Sequence, residues 1–335
     1  MLYYRPSNYV HSLCVSVVDI GATSTMLMGA ALKSNTKRTY SSAQSRYLTF
    51  CERFNLVTMP CTEDTLLLYV GFLFEEGLTG SSIRVYLSAV RSLHIFAGEH
   101  YPTELLRVKL ALRGAVRRTP QPIRKLPITV NILRSLLYHA RFRFDKILIE
   151  AVITLAFFGC FRLGELCVPD SADFDRSIHL CLGDVTISHG DKTLVVFLKR
   201  SKTDTTDAGV SVYVGCSGEA TCCAFCSMVA YLEFRRTLSV GHSSGAPLFV
   251  VHGGSPLHKA YLISVLRILL SLSGYNPALY SGHSFRAGAA TTAGDSDFRD
   301  WELKMLGRWA STAYNIYLRN PKLTATFARR LVSGD

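Results

Sequence analysis

The sequence predicts a mainly α-helical protein with one small antiparallel sheet, an α+β chain of two domains. Three observations support this prediction. The chain has 335 residues, of which 48% are hydrophobic, and this is enough for two buried cores. Apolar side chains recur mostly at helical spacing, and strand-like runs are confined to residues 180–214. A basic stretch at residues 117–127, RRTPQPIRKLP, carries three prolines and therefore reads as an extended linker.

The first domain, residues 34–118, is predicted to be a small helical bundle. It follows a poorly patterned segment, residues 1–33, which we treat as variable. Helices are expected at residues 36–54, 63–76, 81–97 and 103–116. On the polar face of the third helix, Arg84, Ser88 and Arg91 follow the helical turns and are predicted to contact DNA phosphates. A merely solvated face explains the same spacing.

The linker, residues 119–127, and the arginines just before it are also basic. We predict that Arg117, Arg118, Arg124 and Lys125 contact a DNA backbone, with a solvated connector as the alternative. The second domain, residues 128–335, is predicted to combine helices with a three-stranded sheet. Strands are expected at residues 180–187, 193–198 and 210–214. Helices are expected at residues 129–140, 145–158, 223–238, 259–273, 285–292, 297–307, 311–318 and 322–332.

The charge balance favours a polyanionic partner. Thirty-seven Lys and Arg against 25 Asp and Glu leave a formal net charge of +12, which attracts nucleic acid through phosphate neutralisation. A basic enzyme with another role is the alternative. Residues 9–32 are mildly apolar, but His11 and Asp19 interrupt them, so neither a signal peptide nor a membrane span is expected.

Ten cysteines are scattered without a regular framework, which favours a reducing compartment. One cluster comprises Cys216, Cys222, Cys223 and Cys226. It invites a zinc interpretation, but no second CxxC or HxxxH pair completes a tetrahedron at the usual spacing. We therefore expect buried thiols beside a helix start, and no metal.

Two segments place charged residues where reactive groups would be useful. Arg162 lies among aromatic and aliphatic residues, and a guanidinium buried there needs an anion or a carboxylate such as Glu165. A purely structural Arg–Glu pair is the alternative. Lys199 and Lys202 lie where a strand enters a hairpin turn, from which a lysine can donate a proton to a leaving oxygen. An ordinary basic turn is the alternative there.

Two further segments follow near the C-terminus. His283 and Arg286 are three residues apart at a helix start, which suits phosphate binding because helix N-termini favour anions. Trp309 offers an indole donor, and Tyr314 and Tyr317 lie one helical turn apart. Tyrosine attacks phosphorus when cations stabilise the charged transition state. Aromatic core packing is the alternative for each of these three residues.

Taken in order, the four segments resemble the tyrosine recombinase (phage integrase) family. The pattern of that family is an arginine in a Gly-x-Arg-x-x-Glu-Leu motif, a hairpin lysine, His-x-x-Arg, a histidine or tryptophan, and a tyrosine. The matching residues here are Arg162, Lys202, His283, Arg286, Trp309 and Tyr317. The resemblance covers roughly residues 34–330. Its Ser-Lys-Thr-Asp and Gly-Arg-Trp forms look most like recombinases of eukaryotic crypton and tyrosine-recombinase retrotransposon elements.

The resemblance implies a fold, an activity and partners. It implies a helical, SAM-like core-binding domain and a catalytic domain that together form a C-shaped clamp on DNA. Tyr317 would form a covalent 3′-phosphotyrosine, without a cofactor, as a DNA recombinase or integrase does. The arginines would hold the phosphate, Lys202 would protonate the leaving oxygen, and His283 and Trp309 would assist. Double-stranded DNA and a homotetramer on two DNA sites are the implied partners, in the nucleus if the host is eukaryotic.

Three assignments stay open. Lys199 is an alternative to Lys202 and is predicted to bind DNA in any case, Arg308 is an alternative to Trp309, and Tyr314 is an alternative to Tyr317. Two other functions also stay open. One is a type IB topoisomerase, which reseals the same strand. The other is a DNA-binding protein derived from a mobile element that no longer cuts. A metal-dependent transposase fits less well because the sequence shows no spaced carboxylate triad.

Overall fold

The computed structural model describes residues 17–120, 124–143, 145–170, 173–201, 208–296, 298–309, 311–312 and 314. The chain divides into two compact units, Met1–Pro122 and Ile123–Asp335. The division falls inside the predicted linker. No helix within the described part of the chain is long and apolar enough to cross a membrane.

Unit 1 is entirely helical where it is described. Its helices are α1 (Val17–Ala30), α2 (Ser34–Arg53), α3 (Glu63–Glu75), α4 (Gly80–Ala97) and α5 (Leu106–Arg118). Helix α2 packs against α4, and α3 packs against α5. The core is rich in aromatic rings, and the Tyr47 and Tyr69 rings meet edge to face at 5.1 Å between centroids. Thr62 and Thr79 cap α3 and α4 by accepting backbone N–H hydrogen bonds, so the loops that precede them end sharply.

Two features of unit 1 differ from the prediction. Helix α1 lies in the segment that was predicted to be poorly patterned. Its apolar side chains, including Val18 and Met26, are exposed and give no single apolar face, so no periodicity marked this helix. Helix α5 extends to Arg118, so Arg117 and Arg118 lie in a last helical turn rather than in an extended linker. The N–H and hydroxyl of Thr119 both donate to Ala115 O and carry the turn to that point.

Unit 2 combines helices with one small sheet. Its helices are α6 (Val130–Ala140), α7 (Lys146–Phe158), α8 (Leu163–Leu166), α9 (Ala224–Thr237), α10 (Lys259–Leu272), α11 (Ser284–Asp295) and α12 (Asp300–Gly307). Helix α7 is apolar almost all round and is buried because α6, α9 and α11 pack against it. The predicted fold class, mainly helical with a small antiparallel sheet, is confirmed. The predicted helices at residues 311–318 and 322–332 lie almost entirely outside the described residues.

The sheet has the order β1-β2-β3, with strands β1 (Val185–Ser188), β2 (Thr193–Leu198) and β3 (Val210–Gly215) in antiparallel pairs. Alternate side chains of β2, among them Leu194 and Val196, are buried in the core. The prediction that β1 begins at residue 180 is wrong. The Asp184 carboxylate accepts a hydrogen bond of 2.7 Å from Cys181 N, and residues Leu182–Asp184 form a 3₁₀ turn instead.

The segment that enters unit 2 fixes the start of α11. Ile128 N donates to Ser284 O at 2.8 Å, and Leu126 N donates to Leu279 O at 2.7 Å. A Cβ atom on Gly288 would lie 1.7 Å from Ile128 O, which is much closer than any real contact. The approach of this segment to α11 therefore requires glycine at position 288, and it holds the helix turn that carries His283 and Arg286.

We expect Gly288→Ala to lower the free energy of unfolding of unit 2 by about 1 to 3 kcal/mol, because the added methyl group must push α11 away from Ile128. Both tryptophans, Trp301 and Trp309, lie in unit 2, so urea unfolding followed by tryptophan fluorescence reports on this unit. Gly190→Ala is the control, since nothing lies within 4 Å of a Cβ there. Equal stability of the two variants would contradict the close approach.

Candidate active site

One carboxylate, that of Glu165, is shared by two arginines. Arg162 is the N-cap residue of α8, and its Nη1 lies 2.7 Å from Glu165 Oε1. The backbone N–H of Arg162 also donates to Glu165 Oε2, at 2.9 Å. Arg308 reaches the same Oε2 atom with its Nη2, at 3.1 Å. The Glu165 side chain is only 7% exposed, so this carboxylate is committed to the two guanidinium groups.

Arg286 completes a cluster of three arginines. It is 1% exposed, and its Nη1 donates to Cys160 O at 2.8 Å, while its Nη2 donates to Gly307 O. Arg308 donates to Gly159 O at 2.9 Å and to Cys160 O at 3.4 Å. The turn after α7 therefore positions both guanidinium groups through its carbonyl oxygens.

The backbone at this turn is strained. Cys160 has a φ of 49° and Arg308 has a φ of 54°, both in the left-handed region that favours glycine. Each such conformation costs on the order of 1 kcal/mol and persists only where its surroundings impose it. The left-handed conformation of Arg308 ends α12. That of Cys160 ends the turn whose carbonyl oxygen accepts hydrogen bonds from Arg286 and Arg308. Burial raises the pKa of the Cys160 thiol to about 11, so this thiol stays neutral beside them.

Three guanidinium groups against one carboxylate leave a local charge of +2. Burial lowers the pKa of both Arg286 and Arg308, although arginine stays protonated at any physiological pH. Among the described atoms, the buried Nε of Arg308 has no hydrogen-bond partner. A buried excess of positive charge with an unpaired donor is costly unless an anion completes it. The cluster is therefore suited to bind an anion such as a phosphodiester.

A cavity of about 350 Å³ in unit 2 adjoins this cluster. Its lining includes five basic side chains and, among the residues that the structure describes, no acidic one. The basic lining residues are Lys125, Arg162, Lys259, Arg267 and His283. Arg162 therefore faces the cavity while it binds Glu165. His283, the exposed N-cap residue of α11, faces it too, whereas Arg286 one turn later is directed into the cluster.

Lys259 and Arg267 are cavity residues that the sequence analysis missed. Both are exposed on α10, and Ile263, midway between them, also lines the cavity. Ile263 follows Lys259 by four residues and Arg267 follows it by eight, which places all three on one face of the helix, so the spacing was visible in the sequence. The two basic residues were not predicted to belong to the site, because basic residues are common on exposed helix faces and no motif surrounds these two.

Of the two candidate lysines, the structure describes only Lys199. Lys199 pairs with Asp184 and donates to His179 O at 3.0 Å, and its side chain is 22% exposed. Burial alone would lower the pKa of Lys199, but the hydrogen bonds to Asp184 and Cys181 raise it. Lys199 is thus held by unit 2 itself and is a poor proton donor, which favours Lys202. Lys202 lies outside the described residues.

Of the aromatic candidates, the structure describes Trp309 and Tyr314. The Trp309 ring covers Arg286, with 4.6 Å from the guanidinium carbon to the ring centroid. Tyr314 is 3% exposed and packs against Trp309 at 5.8 Å between ring centroids, in a small core with Ala293 and Leu303. Tyr314 is therefore a packing residue, which favours Tyr317 as the nucleophile. Tyr317 lies outside the described residues.

The other predicted DNA contacts are on the surface of their own units. Arg84, Ser88 and Arg91 are exposed on α4, and Arg117 and Arg118 are exposed at the end of α5. Arg124 and Lys125 are exposed in unit 2. Lys199 differs from all of these because it is half-buried.

Glu165→Gln is expected to destabilise unit 2 by about 3 kcal/mol, because it leaves two largely buried guanidinium groups without their shared carboxylate. Urea unfolding followed by tryptophan fluorescence measures the change. Glu219→Gln is the matched control, since it removes an equivalent partner from the exposed Arg134 and should have little effect. A similar small effect for both variants would show that Glu165 does not hold the cluster.

No protein-family model matches the sequence. The integrase/recombinase XerD homolog of Selenomonas ruminantium is 24% identical over 276 residues, which cover 78% of this chain and 74% of that protein.

Solved structures are similar over most of the chain. The XerH site-specific recombinase, bound to its palindromic difH substrate after cleavage, has a TM-score of 0.62 at 16% identity. The matched region covers 88% of this chain and 79% of the XerH chain. The Tn1549 transposon integrase with transposon right end DNA has a TM-score of 0.60 at 15% identity, covering 94% and 98%. A lambda integrase dimer bound to a core site has a TM-score of 0.56 at 15% identity, covering 90% and 76%. This chain has the tyrosine recombinase fold.

Proposed function

We propose that this protein is a tyrosine recombinase that cleaves and rejoins duplex DNA through a covalent 3′-phosphotyrosine at Tyr317. The observation that carries the proposal is the cluster of Arg162, Arg286 and Arg308 around Glu165, beside a cavity lined by basic side chains. A phosphodiester carries one negative charge, and its pentavalent transition state carries more on its equatorial oxygens. The local charge of +2 suits that transition state.

Two arginines of the cluster take different parts in this mechanism. Arg162 faces the cavity and donates to a non-bridging oxygen as soon as the phosphate enters. Arg286 is covered, in part by the Trp309 ring, so it reaches the phosphate only when the covering side chains move aside. Each charged donor that meets the developing charge lowers the activation barrier by about 2 to 4 kcal/mol.

The chemical steps conserve the bond energy. The Tyr317 hydroxyl attacks phosphorus, a Tyr–O–P bond forms, and the bond from phosphorus to the 5′-oxygen breaks. Lys202 protonates the leaving 5′-oxygen, and His283 at the cavity accepts the proton that the Tyr317 hydroxyl loses. In the second step a 5′-hydroxyl from another strand attacks the phosphotyrosine and releases Tyr317. Exchange between duplexes needs two DNA sites, for which we propose a homotetramer.

The biological setting we propose is the integration or excision of a mobile element. The similarity to the Tn1549 transposon integrase supports this setting. The assignment to the crypton-like group stays a prediction. The DNA that flanks the gene is the natural first source of substrate sequences.

We expect native protein to form a covalent adduct with a nicked duplex made from that flanking DNA. The nick lets the cleaved fragment diffuse away and traps the phosphotyrosine, which denaturing electrophoresis detects. Tyr317→Phe should abolish the adduct because it lacks the attacking oxygen. Tyr314→Phe is the matched control and should retain it, since Tyr314 packs against Trp309. An undiminished adduct with Tyr317→Phe would refute the assignment of the nucleophile.

The DNA products that the native protein forms distinguish a recombinase from a topoisomerase. Joining of strands from two different duplexes supports the proposal. Relaxation of supercoiled DNA without any such joining would instead identify a type IB topoisomerase. Binding of duplex DNA with no adduct on any nicked substrate would identify a DNA-binding protein that no longer cuts.

Neutralising the exposed face of α4 should weaken DNA binding and reduce its dependence on salt. Each lost phosphate contact, at Arg84 or Arg91, should reduce the slope of log affinity against log salt by about 0.9. Affinity for a mixed-sequence duplex is measured by fluorescence anisotropy over a range of salt concentrations. Arg134→Ala removes the same charge from a residue paired with Glu219 and serves as the control. An unchanged slope in Arg84→Ala and Arg91→Ala would exclude this face from the interface.

A further inference from the structure

Three cysteine side chains of unit 2 converge at one point. Cys216 follows β3, Cys223 is the N-cap residue of α9, and Cys226 lies in the first turn of that helix. Their sulfur atoms all lie within 4.8 Å of one another. Cys223 is buried, whereas Cys216 and Cys226 are half-buried, so the cluster borders solvent. Buried thiols without a metal were predicted here, because no second CxxC or HxxxH pair lies at the spacing of known zinc motifs.

The sulfur separations match the geometry of a metal site. Cys216 Sγ lies 3.6 Å from Cys223 Sγ and 4.0 Å from Cys226 Sγ. Ligands that surround Zn²⁺ tetrahedrally at 2.3 Å from the ion are about 3.8 Å from one another. A disulfide, in contrast, requires two sulfur atoms at about 2.0 Å and leaves the third thiol without a role. Three thiols whose sulfur atoms all lie within 4.8 Å of one another therefore fit a shared cation better than a bonded pair.

Backbone N–H groups support a thiolate at the centre of the cluster. Ser217 N lies 3.3 Å from Cys223 Sγ, and Cys226 N lies 3.5 Å from it. Both N–H groups point at the Cys223 sulfur and favour its negatively charged form. Hydrogen bonds of this kind orient a metal ligand and favour the thiolate, which is the form that binds the metal.

We propose that Cys216, Cys223 and Cys226 bind one thiophilic divalent cation, with Zn²⁺ as the best fit. Thiolate ligands select Zn²⁺ over hard cations such as Mg²⁺ and Ca²⁺. The fourth coordination position faces the solvent side of the cluster and takes water. The cation joins the end of β3 to the start of α9, which packs against the buried helix α7. It therefore acts as a clip that fixes the sheet to the helical core.

The position of the clip suits a structural role. Cys216 directly follows β3, and none of the three cysteines is among the residues proposed for the reaction. The cation holds the strand and takes no part in the reaction, so the zinc proposal is independent of the proposed function.

Zinc binding by the full-length protein tests the proposal. Wild-type protein should bind one Zn²⁺ per chain in native mass spectrometry, and Co²⁺ should give thiolate charge-transfer absorption. Cys216→Ser and Cys226→Ser replace half-buried thiols and should weaken Zn²⁺ binding, measured by competition with a chromophoric chelator, by more than about 100-fold. Circular dichroism checks that both variants fold.

Cys222→Ala is the matched control, because Cys222 lies in the same segment but outside the cluster, and it should bind Zn²⁺ as the wild type does. Three results would overturn the proposal: no zinc binding by the reduced wild type, equal affinity in the serine variants, or equal loss in Cys222→Ala. A mass lower by two hydrogens, with no bound metal at the same zinc concentration, would indicate a disulfide instead.

Discussion

The position of the candidate catalytic groups depends on the Glu165 carboxylate. Arg162 and Arg308 lie too close to each other to remain buried without an anion between them, because like charges repel strongly where water is scarce. Glu165 also accepts the backbone N–H of Arg162 and so fixes the start of α8. Glu165 thus fixes the start of α8 and the position of Arg162 at the cavity. It also fixes the position of Arg308, the left-handed residue that ends α12.

The carboxylate neutralises only part of the charge that it organises. Arg286 is held by the carbonyl oxygens of Cys160 and Gly307, which are dipoles and carry no net charge. The folded unit therefore buries positive charge in excess and accepts strained backbone at Cys160 and Arg308. A fold selected for stability alone would replace such a cluster by apolar side chains. Its presence is explained if binding of an anion compensates the cost.

The sequence predicted the elements whose signals are local. Helices α3, α7 and α10 and strand β2 have clear apolar patterns, and their predicted bounds differ from the structure by one residue or less. The prediction was wrong at residues 180–184, where Asp184 accepts a hydrogen bond from the nearby Cys181 N and pairs with Lys199, 15 residues away, and the chain forms a turn. The pairing of Arg162 with Glu165 was predictable because the two are three residues apart, whereas Arg308 joins the same carboxylate from 143 residues away.

Two of the candidates that the sequence left open, Lys199 and Tyr314, are already engaged in other contacts. A general acid must release its proton, and Lys199 is held by Asp184 and a carbonyl oxygen that stabilise its charged form. A nucleophile must approach phosphorus, and Tyr314 is enclosed with Trp309, Ala293 and Leu303. Arg308 adds a third guanidinium beside Arg162 and Arg286, and the neighbouring Trp309 ring covers Arg286. A charged donor binds an anion more strongly than a neutral one, so Arg308 adds to the affinity for phosphate that we propose for this cluster.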